Sequence, residues 1–425
     1  MINGGKPLNG SIEISGMKNA AVAVIFASLL VEDTIVLENI PSILDVAVSL
    51  NILKDMGASV KMLRKNTVEI NAKNARCGTA PSDMVRRMRA SYYIIGAELG
   101  RFKKSAIAYP GGCDFGTRPI DQHIKAFESL GAKVELDGNL IIESVAENGL
   151  HGANVFFDMV TVGATMNLMI AAVMAEGVTV IDNAAREPHI VDLANFLNTC
   201  GADVRGAGTD TIKIKGVEKL HGCTYAIIPD MIEAGTYMYA AIATGGRLTV
   251  TNVIPKHLES ITAKIEEMGV IVEEGDDSVT VSRGETFKRL KIKTTPYPGF
   301  PTDMQPQMCV LMCLADGKST LVEGVWDNRF RYIDQLRRMG AQITVNDDTA
   351  YVEGIHELHP AKVRAVDLRA GAAMVIAGLA AKGITEIEDI QYIERGYDDI
   401  VGKLSSIGAE IKKVSVPDEI VFGKD

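Results

Sequence analysis

The stretch "VDLANFLNTCGADV" (residues 191–204) carries apolar residues at helical spacing, then a glycine, then a short run ending on a β-branched residue. A glycine placed there suits the left-handed residue that closes a helix, with a strand to follow. The same ending recurs as "MGASV", "LGAKV", "MGVIV", "MGAQI" and "IGAEI". Its glycines, Gly57, Gly131, Gly201, Gly269, Gly340 and Gly408, are separated by 74, 70, 68, 71 and 68 residues. Helix ends often carry glycine, but six at nearly equal spacing in one flanking pattern define a repeat of about seventy residues.

Each ending follows an amphipathic helix, as in "YIDQLRRMGA". Before it come a small-residue helix and a strand, for which "TMNLMIAAVMAEGVTVIDNA", "TYMYAAIATGGRLTVTNV" and "AAMVIAGLAAKGITEIEDI" are versions of one segment. The unit therefore reads strand, helix, strand, helix, strand, strand. Six such α/β units in 425 residues fit two lobes of three, divided near residue 228, where "YAIIPD" opens the fourth unit. The leading "KPLNGSIEIS" reads as one extra strand, which the residues alone assign to neither lobe.

The chain exceeds the size at which one core keeps growing, in keeping with two lobes. Hydrophobic residues make up 47% and charged residues 23%, an ordinary globular balance. A formal charge of -10 and the lack of long basic runs argue against nucleic acid or an anionic membrane as partner. Apolar runs such as "AAVAVIFASLL" fall short of the roughly 20 residues that span a bilayer. The start, "MINGGKPLNG", lacks a secretory profile, so a cytoplasmic location is expected. Six cysteines, Cys77, Cys113, Cys200, Cys223, Cys309 and Cys313, lack paired CxxC spacing, which speaks for free thiols rather than a disulfide framework or zinc site. Cys309 and Cys313 share one otherwise apolar helical face, which favours core packing over metal binding.

When the units are laid on one another, their unusual residues collect in two strand-to-helix junctions, where helix N-termini attract anions. These junctions hold Lys18, Arg89, Arg118, Arg186, Lys256, Arg329, Arg369 and Arg395, a concentration of cations in an acidic chain. A polyanionic small molecule is the ligand they suit, although each alone could be a solvated loop residue. Glu187, Asp230, Glu233, Asp303 and Asp367 share the junctions. Capping is the favoured role for Asp230 and Asp367. Asp303, between Pro301 and Pro306 in "GFPTDMQPQ", reads equally as a cap or as a positioned base.

The second unit departs from the others at "YPGGCDFGTRP" (109–119). Gly111, Gly112 and Gly116 read there as sources of mobility, and Cys113 as an exposed thiol whose pKa Arg118 lowers, fit to serve as acid or nucleophile. His123 heads the helix that follows.

Taken together, "GMKNAA", "MRASYY", "PGGCDFGTRPIDQHIKAFESLGA", "AAREPHIVDLANFL", "FPTDMQPQ", "DNRF", "DLRAGAAMVIAG" and "IERGYDDI" resemble the UDP-N-acetylglucosamine 1-carboxyvinyltransferase family, enolpyruvyl transferases of peptidoglycan synthesis. The likeness runs nearly end to end. It implies a two-lobed inside-out α/β barrel of six βαβαββ units, with residues 1–17 and 228–425 in the catalytic C-terminal lobe. Residues 18–227 form the N-terminal lobe and carry the mobile loop 109–121. The implied substrates are phosphoenolpyruvate and UDP-N-acetylglucosamine, with no cofactor and no metal; no protein partner is indicated.

Carried over by resemblance, Cys113 is the acid that protonates phosphoenolpyruvate and the target of fosfomycin. Lys18, Arg118, Arg329 and Arg395 hold its phosphate and carboxylate, and Asp303 receives the sugar hydroxyl proton. Asn19 lies at the reacting centre and Arg89 at the nucleotide-sugar site. Arg118, Pro119, Ile120, Asp121, Gln122, Thr161, Gly163 and Val325 match the surface for the uridine diphosphate sugar, and Arg369 with Asp367 a supporting pair. Three residues depart from the family pattern: Met231 stands where many members have arginine, His189 where many have glutamate, and Met159 where some have lysine. They leave two alternatives beside the transferase, a noncatalytic or auxiliary copy that binds UDP-sugar and the related enzyme acting on shikimate 3-phosphate.

Overall fold

A computed structural model describes residues 1–111, 120–137 and 141–415. Twelve helices carry the repeat: α1 (Lys18–Ala27), α2 (Leu44–Asp55), α3 (Tyr93–Phe102), α4 (Asp121–Ser129), α5 (Val162–Ala172), α6 (Pro188–Thr199), α7 (Met231–Ala243), α8 (Pro255–Glu267), α9 (Gln305–Leu314), α10 (Ile333–Arg338), α11 (Leu368–Ala380) and α12 (Ile400–Ser406). The odd-numbered helices are apolar all round and buried almost throughout: every residue of α7 and α9 is buried, and in α11 every residue from Leu368 to Leu379. A helix without a polar face belongs inside. α1, α3 and α5 pack through α1 against α3 and α3 against α5, while α7, α9 and α11 all touch one another. The even-numbered helices bury one face, and six small sheets lie outside. This is the inside-out barrel of two lobes.

The helix endings follow the repeat. Gly57, Gly131, Gly201, Gly269, Gly340 and Gly408 all have φ between 92° and 102°. At each, the glycine N–H bonds three residues back and the next N–H five residues back, as in Gly201 to Asn198 and Ala202 to Leu197. This paired bonding satisfies helix carbonyls that would otherwise be orphaned.

The strands show how the ring of repeats closes. Within three sheets a strand that precedes a buried helix lies parallel to the strand that follows it, as Asn154–Phe156 does beside Val178–Asp182. In the first unit that leading position is filled by Thr224–Ala226, parallel to Thr34–Glu38. In the fourth it is filled by Asn9–Glu13, parallel to Arg247–Thr251. The "YAIIPD" segment thus begins in the sheet of the first unit rather than opening the fourth. The N-terminus also supplies two strands, not one, because Ile2–Gly4 joins the last sheet between Gly383–Glu388 and Glu410–Ile411. Residues 14–17 and 227–230 run side by side as the two crossings, joined by Met17 N–H to the Ile228 carbonyl at 2.7 Å and Asp230 N–H to the Ser15 carbonyl at 2.9 Å.

Candidate active site

Residues of both kinds of junction gather into one group of charges. Lys18 is the first residue of α1, and its Nζ lies 2.8 Å from Asp45 Oδ2. Arg395, from the far end of the chain, donates through Nε to Asp45 Oδ1 at 2.9 Å. Asp45 is 4% exposed. Burial would raise its pKa, but Lys18 and Arg395 outweigh burial and hold it below the usual carboxylate range. Asp230 caps α7 through the Ile232 and Glu233 N–H groups, and its other oxygen accepts from Lys18 N–H at 3.2 Å.

Asp303 caps nothing. It sits in the tight turn Thr302–Met304 before α9, and its carboxylate instead accepts from Arg369 Nε at 3.1 Å and lies 3.6 Å from Arg329. Its side chain keeps 31% of its surface exposed. Burial pushes its pKa up, yet Arg369, Arg329 and Lys18 together bring it below the ordinary value, so it is an anion held by cations. Arg369 is the second residue of α11, a position where a helix dipole disfavours positive charge. Asp367 offsets this by capping α11 through the Arg369 and Ala370 N–H groups, and the Tyr397 ring lies 5.5 Å from the guanidinium. Glu323 accepts from Thr302 Oγ1 at 3.0 Å and from Val325 N–H at 2.9 Å, which draws the exposed Val325 towards the Asp303 turn.

A further group forms around α3, α4 and α5. Arg89 lies 5.9 Å from the Tyr92 ring and 5.8 Å from the Tyr109 ring, and donates to the Pro110 carbonyl at 3.3 Å. Gln122 bridges Asp121 and Asp158, Thr161 accepts from Ala164 N–H as the cap of α5, and Ile120 is buried. Gly163 is required by contact: a Cβ there would stand 2.5 Å from Tyr92 Oη and 3.1 Å from His123 Nε2. Asn167 Nδ2 lies 3.1 Å from His123 Nδ1 and can only donate, which leaves the ring proton on Nε2. Burial and then Arg89 press the His123 pKa down to about 3, so this ring stays neutral.

Cys113, Arg118 and Pro119 lie outside the described residues, with most of the 109–121 loop. Gly111 is described, and a Cβ there would stand 1.8 Å from the Arg86 carbonyl oxygen, so close approach of the backbone also calls for glycine. Asn19 follows Lys18 in α1. Two junction cations stay apart from these groups: Arg186 pairs with Asp210 and Lys256 with Glu259, both at exposed positions. Of the departures, Met231 and His189 are buried and Met159 is exposed. Both His189 ring nitrogens are buried without a hydrogen-bond partner. Burial lowers the His189 pKa to about 4, against an opposing pull from Asp303.

The residue missed in the sequence is Asp45. Its signal was present, since it closes "ENIPSILD", the first unit's copy of the second junction. Among the described residues no group of three or more His, Cys, Asp or Glu could hold a metal, and no helix is long and apolar enough to cross a membrane.

Among the described residues six sheets surround the buried helices of a two-lobed fold and four cations gather on two carboxylates, and the EPSP synthase (3-phosphoshikimate 1-carboxyvinyltransferase) family, a family of transferases, matches residues 2–404. The chain is 54% identical to UDP-N-acetylglucosamine 1-carboxyvinyltransferase 3 of Caldanaerobacter subterraneus subsp. tengcongensis, over 97% of this chain and 99% of that one. It is 53% identical to UDP-N-acetylglucosamine 1-carboxyvinyltransferase of Clostridium botulinum, with the same coverage. The chain therefore belongs to the enolpyruvyl transferases, in the UDP-N-acetylglucosamine 1-carboxyvinyltransferase family. The enolpyruvyl transferase NikO from Streptomyces tendae superposes with a TM-score of 0.88 at 25% identity, covering 98% of both chains. EPSP synthase from Acinetobacter baumannii superposes at 0.74 with 19% identity, covering 97% of this chain and 99% of that one, a likeness of fold.

Proposed function

We propose that the chain transfers the enolpyruvyl group of phosphoenolpyruvate to the 3-hydroxyl of UDP-N-acetylglucosamine and releases phosphate, the committed step of peptidoglycan synthesis. The observation that carries this reading is the ionised Asp303, partly exposed and ringed by Arg369, Arg329 and Lys18. A carboxylate so placed can accept a hydroxyl proton, and the cations suit an addition product that keeps a carboxylate and a phosphate.

In the reaction, Asp303 takes the sugar hydroxyl proton as the oxygen attacks C2 of phosphoenolpyruvate. Cys113 delivers a proton to C3, giving a tetrahedral ketal. Lys18, Arg118, Arg329 and Arg395 hold the two anionic groups. Loss of a proton from C3 and of phosphate from C2 then restores the double bond in the enolpyruvyl ether. Asn19 stands at the reacting centre, and Arg89, Pro119, Ile120, Asp121, Gln122, Thr161, Gly163 and Val325 form the nucleotide-sugar surface. No cofactor takes part.

We further place residues 1–17 with 228–425 in one lobe and 18–227 in the other, with 109–121 as the loop that delivers Cys113. Supporting this division, Asn9–Glu13 pairs with Arg247–Thr251 and Thr224–Ala226 with Thr34–Glu38. We assign the reaction to the cytoplasm and Cys113 as the thiol that fosfomycin alkylates.

The test is phosphate release from purified protein. Release should require both phosphoenolpyruvate and UDP-N-acetylglucosamine, and Cys113→Ala should abolish it together with fosfomycin labelling. Release with shikimate 3-phosphate but not with the sugar nucleotide would overturn the assignment. Sugar-nucleotide binding without turnover would mark a noncatalytic copy.

A further inference from the structure

α6 leads to a pair of thiols. Near its start stand Glu187, which accepts from Tyr297 N–H at 3.4 Å, and His189. Its last turn leads into Cys200, fully buried, whose Sγ lies 3.3 Å from Cys223 Sγ. That is inside ordinary van der Waals contact between two sulfurs, yet both are free thiols.

The backbone holds the pair in register from both sides. His221 N–H donates to the Cys200 carbonyl at 2.8 Å, and Val36 N–H donates to the Cys223 carbonyl at 2.9 Å. Gly201 permits the approach, because a Cβ there would stand 2.9 Å from His221 Cδ2. Downstream of Cys223, Tyr225 Oη donates to Asp192 Oδ1 at 2.6 Å, and Ile227 N–H bonds to the Glu38 carbonyl at 3.0 Å as the chain enters the crossing between the lobes. Two thiols close in space across 23 residues, one half-buried and one buried, match a reactive cysteine beside a resolving one.

We propose that Cys200 and Cys223 form a peroxide-oxidisable dithiol site whose disulfide fastens the end of α6 to the strand leading into the lobe crossing. Cys223 is the attacking thiol. It is half-buried and so within reach of peroxide, whereas Cys200 is fully buried. The Cys223 thiolate attacks one peroxide oxygen, the O–O bond breaks, and with one proton taken up the products are Cys223 sulfenic acid and water. Cys200 sulfur then attacks the sulfenic sulfur. The S–O bond breaks, the Cys200 proton leaves with the hydroxyl as a second water, and the disulfide remains, both thiols oxidised and one peroxide reduced. The proposal does not rest on the transferase reading.

The experiment exposes the folded, full-length protein to hydrogen peroxide, blocks residual thiols by alkylation, and maps unreduced peptides by mass spectrometry. The expected result is one linked peptide joining Cys200 to Cys223, two hydrogens lighter than the separate peptides and restored by dithiothreitol. In Cys200→Ala, dimedone should label Cys223. Absence of the linked peptide at a peroxide dose that oxidises other cysteines of the chain, or linkage of Cys223 to a different cysteine, would overturn the proposal. Mapping of the unmodified protein decides the point even where the variant folds poorly.

Discussion

The Asp303 carboxylate accepts from Arg369 Nε at 3.1 Å across 66 residues of sequence. The bond joins equivalent junctions of two successive repeats, one before α9 and one before α11, which are packed against each other. A carboxylate is thereby tuned by a cation that comes from the next copy of its own motif.

Asp303 should remain ionised well below ordinary carboxylate pH, so it does not set the acid limb of the pH–rate profile near neutrality. Arg369→Met removes the largest attraction holding the pKa down and should move an acid limb upward while lowering kcat more than it raises KM. The profile of phosphoenolpyruvate turnover against pH checks this. For stability the same depressed pKa means a contribution present above the unfolded carboxyl value of about 3.9 and lost as pH falls through the folded value.

Asp45 is the buried counter-charge of Lys18 and Arg395. Asp45→Ala leaves two cations facing each other in a largely dry place and should cost about 3–5 kcal/mol in urea unfolding. Phosphate or phosphoenolpyruvate should recover more stability in this variant than in the parent protein, since an anion then restores the missing charge. An equal shift in both proteins would refute the role given to Asp45.

His189 has its pKa lowered to about 4 from 6.5, chiefly by burial. Between these values the unfolded chain binds more protons than the folded one, so stability rises with pH across that window. Acidification from 6.5 to about 4 should therefore remove up to about 3 kcal/mol through this ring. His189→Gln should flatten that part of the stability profile relative to the parent, measured by denaturant unfolding at a series of pH values.

Gly201 and Gly131 share the left-handed conformation but not their surroundings. A Cβ at Gly201 would stand 2.9 Å from His221 Cδ2, whereas at Gly131 the nearest atoms are 3.9 Å away. Gly131→Ala should cost about 1–2 kcal/mol from backbone conformation alone. Gly201→Ala should cost measurably more, because His221 must also move. Unfolding midpoints of the two variants, which lie in the same half of the chain, give the comparison.

Much of this architecture was legible because helix closure is a local event. Six glycines at near-equal spacing, each followed by a strand, mark the repeats from composition and periodicity alone. Asp230 and Asp367 were readable as caps for the same reason, since a cap bonds only N–H groups two and three residues ahead. Asp303 resembles them in sequence, and its junction position left cap and base open. What separates it is the pair of guanidiniums from residues 329 and 369.

The repeat, the apolar helices, the junctions rich in cations and the family likeness were determined by the order of residues, because each depends on neighbours within a few turns or on pattern. Which strands close which sheet was decided only in three dimensions. An extended segment such as Ile2–Gly4 or Thr224–Ala226 carries no mark of the strand it will lie against, because backbone hydrogen bonds to a neighbouring strand are made by any sequence. The same holds for charge. Lys18 and Arg395 could be picked out one by one in the sequence, but only folding brings 377 residues of separation down to the one buried carboxylate of Asp45 with two cations on it.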